Sequence, residues 1–238
     1  MTNLAQTFVP RRSAGRVVEL REVPIPPNGV GGMLRIPNAA TSLVAFAHGN
    51  GLGRHSQRSR VVAEALNRQN IATLLLDLLT PDEKADRANV FDIPLLAERL
   101  VHAVRRLDRE PGVAGLPLGL YSASTGAAAA IVAAVELGDR VGAVVLRGGR
   151  PDLAGGALDR MRIPTLLIAG GADLPIIALN QKALARLRGP KALEIVPGAS
   201  HLFPERGAMD AVIGHTARWF ERHLTSRAPG RVHETQAI

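Results

Sequence analysis

The chain has 238 residues, of which 46% are hydrophobic and 21% charged, and its formal net charge is +8. This length and composition suit one globular α/β domain that buries most of its unfolded surface. The lack of cysteine excludes disulfides, cysteine-based zinc sites and a thiolate nucleophile. The arginines are spread along the chain and only 3% of residues are aromatic, so the charge predicts a generally basic surface and no nucleic-acid partner.

The two ends of the chain lack the patterns of ordered elements. Residues 1–14 are polar and lack the apolar run of a signal peptide, so we expect a short N-terminal extension and a cytoplasmic protein. Residues 226–238 have no periodicity and predict a flexible tail, which leaves 15–225 for the domain. No segment approaches the roughly 20 apolar residues of a membrane helix, so we expect no membrane association.

Short apolar runs rich in β-branched residues alternate with helical patterns along the domain. The predicted strands are Val17 to Val23, Gly32 to Ile36, Ser42 to Ala47, Ile71 to Asp77, Leu116 to Tyr121, Val141 to Leu146, Thr165 to Ala169 and Ala192 to Val196. The predicted helices are Arg58 to Arg68, Pro94 to Leu107, Thr125 to Leu137, Ile176 to Leu187 and Met209 to Leu224. The turn residues at 26–29 predict a hairpin between the first two strands.

This alternation predicts the fold class. Strands that alternate with helices form a mainly parallel sheet, here eight-stranded, with helices on both faces. About 18 residues, Arg147 to Pro164, separate the sixth and seventh strands, which is too short for a large cap domain.

The most informative segment is 118–126, which runs from a predicted strand directly into a predicted helix. In a nucleophile elbow, G-x-S-x-G, the central residue sits in a strained turn, so the residues two before and two after it must be small. Ser122 and Gly126 meet this requirement around Ser124, although serine replaces the first glycine of the pattern. Such residues often only cap a helix, so the assignment depends on partners elsewhere in the chain.

A serine nucleophile needs a general base and usually an acid that orients it. In folds with such an elbow the acid and then the histidine follow the serine, each just after a later strand. Asp173 follows one predicted strand and a glycine turn, and His201 follows the next. Singly, Asp173 could cap a helix and His201 could be a loop histidine. Their order and positions together predict a triad of Ser124, Asp173 and His201.

A glycine-rich loop, residues 48–55, lies between the third predicted strand and the next helix. We expect the amides of Asn50 and Thr125 to form an oxyanion hole. An alternative is a phosphate-binding loop, with Asp77 as the ribose acid of a dinucleotide site. Arg54 stands where the third glycine of G-x-G-x-x-G belongs and the G-K-[S/T] ending is absent, which disfavours nucleotide binding.

From about Glu19 to Leu224 the chain resembles the dienelactone hydrolase-like branch of the α/β-hydrolase superfamily. The motifs that carry the resemblance are His48-Gly49-Asn50-Gly51, Ser122-Ala123-Ser124-Thr125-Gly126, residues 147–153 (Arg-Gly-Gly-Arg-Pro-Asp-Leu), Gly171-Ala172-Asp173 and Ser200-His201. Dienelactone hydrolase is known for a cysteine nucleophile, and Ser124 occupies the matching position here. The resemblance implies an α/β-hydrolase fold, serine esterase chemistry on that scaffold, and no metal or organic cofactor.

By this resemblance Ser124 attacks an ester or lactone carbonyl, His201 transfers the proton and Asp173 holds the imidazolium. Arg147 and Arg150 follow the sixth strand, close to the expected site. One of them, together with Arg54, is a candidate to bind a substrate carboxylate. The alternative is that Arg150 pairs with a surface acid and Arg147 supports a loop.

The sequence therefore predicts a serine hydrolase that cleaves carboxylic esters, lactones or thioesters of a small-molecule substrate through an acyl-enzyme. Acyl transfer to an acceptor other than water is one alternative. The other is a non-catalytic ligand-binding protein on the same fold, because fold alone does not fix function. The natural substrate and the oligomeric state stay open.

Overall fold

The computed structural model of the chain describes residues 18–27, 29–48 and 53–224. The predicted N-terminal extension, 1–14, and the predicted tail, 226–238, lie outside these residues. So does Asn50, the predicted oxyanion donor.

One eight-stranded sheet forms the centre of the fold. Its strands are β1 (Val18–Ile25), β2 (Val30–Pro37), β3 (Ser42–His48), β4 (Ile71–Leu76), β5 (Leu118–Ser124), β6 (Val141–Gly149), β7 (Thr165–Gly170) and β8 (Lys191–Val196). Their order is β1-β2-β4-β3-β5-β6-β7-β8. β2 pairs antiparallel with β1 and β4, and all other pairs are parallel. The prediction of a mainly parallel eight-stranded sheet and of an initial hairpin is confirmed.

Helices cover both faces of the sheet, as predicted. They are α1 (Gln57–Asn67), α2 (Pro81–Ala85), α3 (Arg87–Phe91), α4 (Ile93–Leu107), α5 (Gly126–Leu137), α6 (Ala157–Arg160), α7 (Leu174–Arg186) and α8 (Ala208–His223). The apolar sides of α4 and α5 pack on one face of the sheet, and those of α1 and α8 pack on the other. Among the described residues, no helix is long and apolar enough to cross a membrane.

The short helices α2, α3 and α6 were not predicted, because four or five residues are too few to display an apolar period. The start of α2 does carry a local signal. Thr80 and Glu83 form a reciprocal capping box around Pro81. The connection from β6 to β7, residues 150–164, contains a 3-10 turn at Pro151–Ala154 and the single turn of α6.

Parallel pairing brings the carboxyl ends of β3, β5, β6, β7 and β8 to one edge of the sheet. His48 ends β3 at this edge, next to Ala123 of β5. Its Nε2 lies 2.8 Å from Oγ of Ser59 on α1, so a buried hydrogen bond joins the strand to the helix. The fold therefore presents the residues that follow several strands on a shared surface.

The buried His48 ring is held in its neutral form. Desolvation by burial lowers its pKa to about 3, and the nearby Arg147 and Arg58 guanidinium groups contribute in the same direction. In the unfolded chain the ring takes up a proton at its ordinary pKa near 6.5. Protonation therefore favours the unfolded state as the pH falls below that value.

We expect the free energy of unfolding to decrease as the pH is lowered from about 6.5 towards 3, in part because over this range His48 takes up a proton only in the unfolded chain. Urea unfolding at pH 7, 6 and 5 compares the intact chain with His48→Gln, in which every other titrating group is kept. The variant should show the shallower slope between pH 6 and 5. Equal slopes would contradict a buried, neutral His48.

Candidate active site

The turn at the end of β5 has the geometry of a nucleophile elbow. Ser124 has φ 55, and only Asn70 and Phe203 share a positive φ among the described non-glycine residues. This conformation is strained for a residue with a Cβ, at roughly 1 to 3 kcal/mol, and it recurs at functional sites. Thr125, buried, occupies the N-cap position of α5 directly after the turn, and its side chain makes no capping hydrogen bond to the described residues.

The serine in place of the elbow's first glycine has a defined role in packing. Ser122 is fully buried, and its Oγ donates a 2.7 Å hydrogen bond to the Ala47 carbonyl of the neighbouring strand β3. A small side chain is therefore tolerated at this position because its polar atom has a partner. The departure from the usual pattern is compatible with the elbow.

Small residues around Ser124 let three elements meet. The register between β5 and β6 shifts after Ala123, so that Ser124 lies opposite Gly149. A Cβ on Gly149 would lie 2.4 Å from the Ala127 Cβ of α5, which is closer than such atoms approach. The Arg150 amide then donates to the Ser124 carbonyl at 3.0 Å. The Ser124 backbone is thus held by the residue that directly follows β6.

Asp173 and His201 are directly hydrogen-bonded. Nδ1 of His201 lies 2.6 Å from Oδ2 of Asp173. An ionised carboxylate only accepts hydrogen bonds, so a neutral imidazole beside one carries its proton on Nδ1 and leaves Nε2 as an acceptor. This is the tautomer that a general base requires.

Backbone hydrogen bonds join the two loops that carry this pair. The Gly171 amide donates to the Val196 carbonyl at 2.8 Å, and the Ala172 amide donates to the Ala199 carbonyl at 2.9 Å. The loop after β7 and the loop after β8 therefore form one unit. In the His201 loop, the Ser200 amide also donates to the Glu205 carboxylate at 3.0 Å. The Ser200 side chain chiefly, and the backbone amides of Glu205 and Ser200 to a smaller extent, lower the pKa of Glu205.

Ser124 and His201 line one small cleft at the carboxyl edge of the sheet, with a volume of about 20 Å³. That is room for about one water-sized group. The described residues around it are His48, Ser56, Arg58, Ala123, Ser124, Arg147, Gly148, His201 and Leu202. The predicted nucleophile and base are thus brought together, and Asp173 adjoins them through His201.

Of the three predicted arginines, only Arg147 lines this cleft. It is 5% exposed, its guanidinium stacks on Phe203 with 5.6 Å from Cζ to the ring centroid, and no described carboxylate forms an ion pair with it. Arg150 instead pairs with Asp152, with 2.7 Å between Nη2 and Oδ2. This is the pairing with an acid that the sequence left as an alternative for Arg150.

Arg54 lies elsewhere. Its Nε is 3.3 Å from the Asp77 carboxylate, and its side chain lines a separate groove. Nζ of Lys84 also lies 3.3 Å from Oδ1 of Asp77. A Cβ on Gly53 would lie 1.7 Å from the same Asp77 oxygen, so the backbone approaches this carboxylate closely. These contacts occupy the carboxylate that a ribose would need in the nucleotide alternative.

His48, Arg58 and Leu202 line the cleft but were not predicted as site residues. The sequence places His48 at the carboxyl end of a predicted strand, and this position could have indicated that it lies near the site. Arg58 lies in the first turn of α1, where nothing in the sequence separates it from other surface arginines. Leu202 directly follows the predicted base. Among the described residues, no group of three or more His, Cys, Asp or Glu side chains could hold a metal ion.

The chain is similar to a solved dienelactone hydrolase from Anabaena variabilis, with 48% identity, a TM-score of 0.83, and coverage of 88% of this chain and 99% of that one. Carboxyl esterase 2 from Tuber melanosporum shares the fold at 17% identity and a TM-score of 0.68, with 89% of each chain covered. No family model matches the chain.

Two curated proteins from Mycobacterium tuberculosis, from strains CDC 1551 and H37Rv, are each 50% identical over 206 residues, or 87% of this chain. Both are named "Putative phosphoribosyl transferase", and the chain spans 46% of their length. The relation to the Anabaena protein covers nearly both chains and agrees with the fold and with the motifs. The chain therefore belongs to the dienelactone hydrolase-like family of the α/β-hydrolase superfamily.

Proposed function

We propose that the chain is a serine hydrolase that cleaves carboxylic esters, lactones or thioesters of small molecules through an acyl-enzyme. The observation that carries the proposal is the 2.6 Å bond between His201 and Asp173, beside a cleft shared with the strained Ser124. Nucleophile, base and orienting acid come from three separate loops at one edge of the sheet. This is the arrangement that acyl transfer requires.

In the proposed reaction, Oγ of Ser124 attacks the acyl carbon while Nε2 of His201 accepts its proton. The carbonyl oxygen becomes an oxyanion that the amides of Thr125 and Asn50 stabilise. His201 then protonates the leaving alcohol or thiol, and Asp173 stabilises the imidazolium in the meantime. Water attacks the acyl-enzyme with the same proton transfers, releases the acid and restores the serine. The mechanism uses no metal or organic cofactor.

We do not propose a phosphoribosyl transferase activity for this chain on the basis of the name of the mycobacterial relatives. That name describes proteins of which this chain spans 46%, and a relative matched over nearly its whole length is a dienelactone hydrolase. Acyl transfer to another acceptor and non-catalytic ligand binding remain the alternatives to hydrolysis. A cytoplasmic location stays a prediction of the sequence.

The buried Arg147 is the basis of the substrate specificity that we propose. A buried cation without an ion-pair partner is unfavourable, so an anionic group placed next to it gains more than it would at the surface. We therefore propose that Arg147 binds a carboxylate carried by the substrate. Arg150 is a weaker candidate for binding a substrate carboxylate, because it already pairs with Asp152.

Replacement of the nucleophile tests the reaction. Ser124→Ala should lower kcat for p-nitrophenyl acetate by about 10⁴-fold or more, because the triad acts as a unit. Thermal unfolding should be nearly unchanged. Ser122→Ala is the matched control two residues away, and it should keep activity within about tenfold because it loses one buried hydrogen bond. Wild-type turnover by Ser124→Ala would refute the assignment.

Arg147→Met tests the specificity, since methionine keeps much of the packing on Phe203 without the charge. The ratio of kcat/KM for a succinate half-ester to that for its neutral methyl diester should fall by about 10- to 100-fold, the worth of one charge-assisted bond. Arg150→Met is the matched control and should leave the ratio unchanged. An equal loss of kcat/KM for both esters in Arg147→Met would show that this arginine has only a structural role.

A further inference from the structure

A second concave surface lies apart from the Ser124 cleft and has no described lining residue in common with it. Its volume is about 400 Å³, within the range of small-molecule sites. We call it the hairpin groove. Its lining residues are Leu20, Glu22, Met33, Arg35, Arg54, His55, Arg60 and Leu75.

The groove exists because α1 covers only part of its face of the sheet. Val62 and Leu66 of α1 pack over the inner strands, and the outer hairpin of β1 and β2 extends beyond the helix. Met33 and Leu75 are cross-strand neighbours and form an apolar floor. Leu20, opposite Arg35, is 63% exposed at the outer side. The result is an apolar surface that water reaches.

Three guanidinium groups surround this floor from three different elements. Arg35 extends from β2, Arg60 from α1, and Arg54 from the 3-10 turn at Gly53–His55. The Arg54 guanidinium lies directly on Gly31, where a Cβ would be 1.9 Å from Nη1. Arg35 is largely buried, and none of the residues that the structure describes accepts a hydrogen bond from its Nε. Only a glycine at position 31 leaves room for this arrangement.

The carboxylates next to the groove are shared between cations. Glu64 lies 3.2 Å from Arg35 and 3.8 Å from Arg60, while Asp77 pairs with both Arg54 and Lys84. The three groove arginines, together with Lys84 outside the groove, thus share these two acids. Each guanidinium has five N–H donors, and these contacts use few of them. Glu22 also lines the groove and is the one lining acid that would repel an anion.

We propose that the hairpin groove binds a small organic anion: a carboxylate or phosphate group on an apolar body about the size of one aromatic ring. The three arginines bind the oxyanion, and the apolar floor packs against the body. Arginine suits this role, because its planar fork matches both anions. The proposal does not depend on the function of the Ser124 cleft.

Calorimetry on the full chain tests the proposal with phenyl phosphate and benzoate as ligands. Two compounds serve as controls: inorganic phosphate has the anionic group without the ring, and benzyl alcohol has the ring without the anionic group. At least one of the two aromatic anions should bind about tenfold more tightly than either control, and comparing the two tells phosphate from carboxylate. Equal binding of benzyl alcohol would overturn the proposal, as would no binding of either anion.

Variants then locate the ligand. Arg35→Leu and Arg60→Gln should each weaken binding by about tenfold, whereas Glu22→Gln should strengthen it by a few-fold. Arg60 is half-exposed on α1, so its replacement keeps the test valid if Arg35→Leu does not fold. Arg147→Met should leave unchanged the binding that Arg60→Gln weakens, and should remove only a carboxylate bound in the Ser124 cleft. Loss of binding in Arg147→Met, without loss in Arg60→Gln, would assign the ligand to the Ser124 cleft and refute the proposal.

Discussion

The strained turn at Ser124 is the constraint on which the rest of the site depends. A residue with φ 55 is held there only where its surroundings allow no alternative. Buried Ser122 fixes the strand before the turn, and the Arg150 amide holds the Ser124 carbonyl. Gly149 must be small so that β6 can pass next to α5. The elbow is therefore a product of β3, β5, β6 and α5 together.

The second requirement is that Asp173 and His201, the proposed acid and base, come to the same edge. Parallel pairing of β5 to β8 achieves this for the loops as a whole, and the amides of Gly171 and Ala172 fix one loop to the other. The charge at the edge is unusual. Arg147 is buried and no carboxylate in the described part of the chain pairs with it, while His48 beside it stays neutral and adds no charge. The buried guanidinium favours an anionic group in the cleft, because binding it would compensate the buried cation.

Much of this was predictable from the sequence, because each prediction depended on local order. Eight apolar runs and five helical stripes define the alternation, and the triad residues each follow their own strand. What could not be predicted depends on contacts distant along the chain. Arg54 lies within the glycine-rich loop, yet its ion pair with Asp77 and its contact with Gly31 place its side chain in the hairpin groove. Arg58 reaches the cleft only because β3 ends beside the first turn of α1.

The central claim is that Ser124 becomes acylated, and covalent labelling tests it most directly. The tryptic peptide 110–140 holds both Ser122 and Ser124, so fragment ions must assign the modified residue after reaction with a fluorophosphonate. The account predicts one adduct, on Ser124, and much slower labelling in His201→Ala, which lacks the base. An adduct on Ser122, or continued ester hydrolysis by protein fully modified on Ser124, would contradict it.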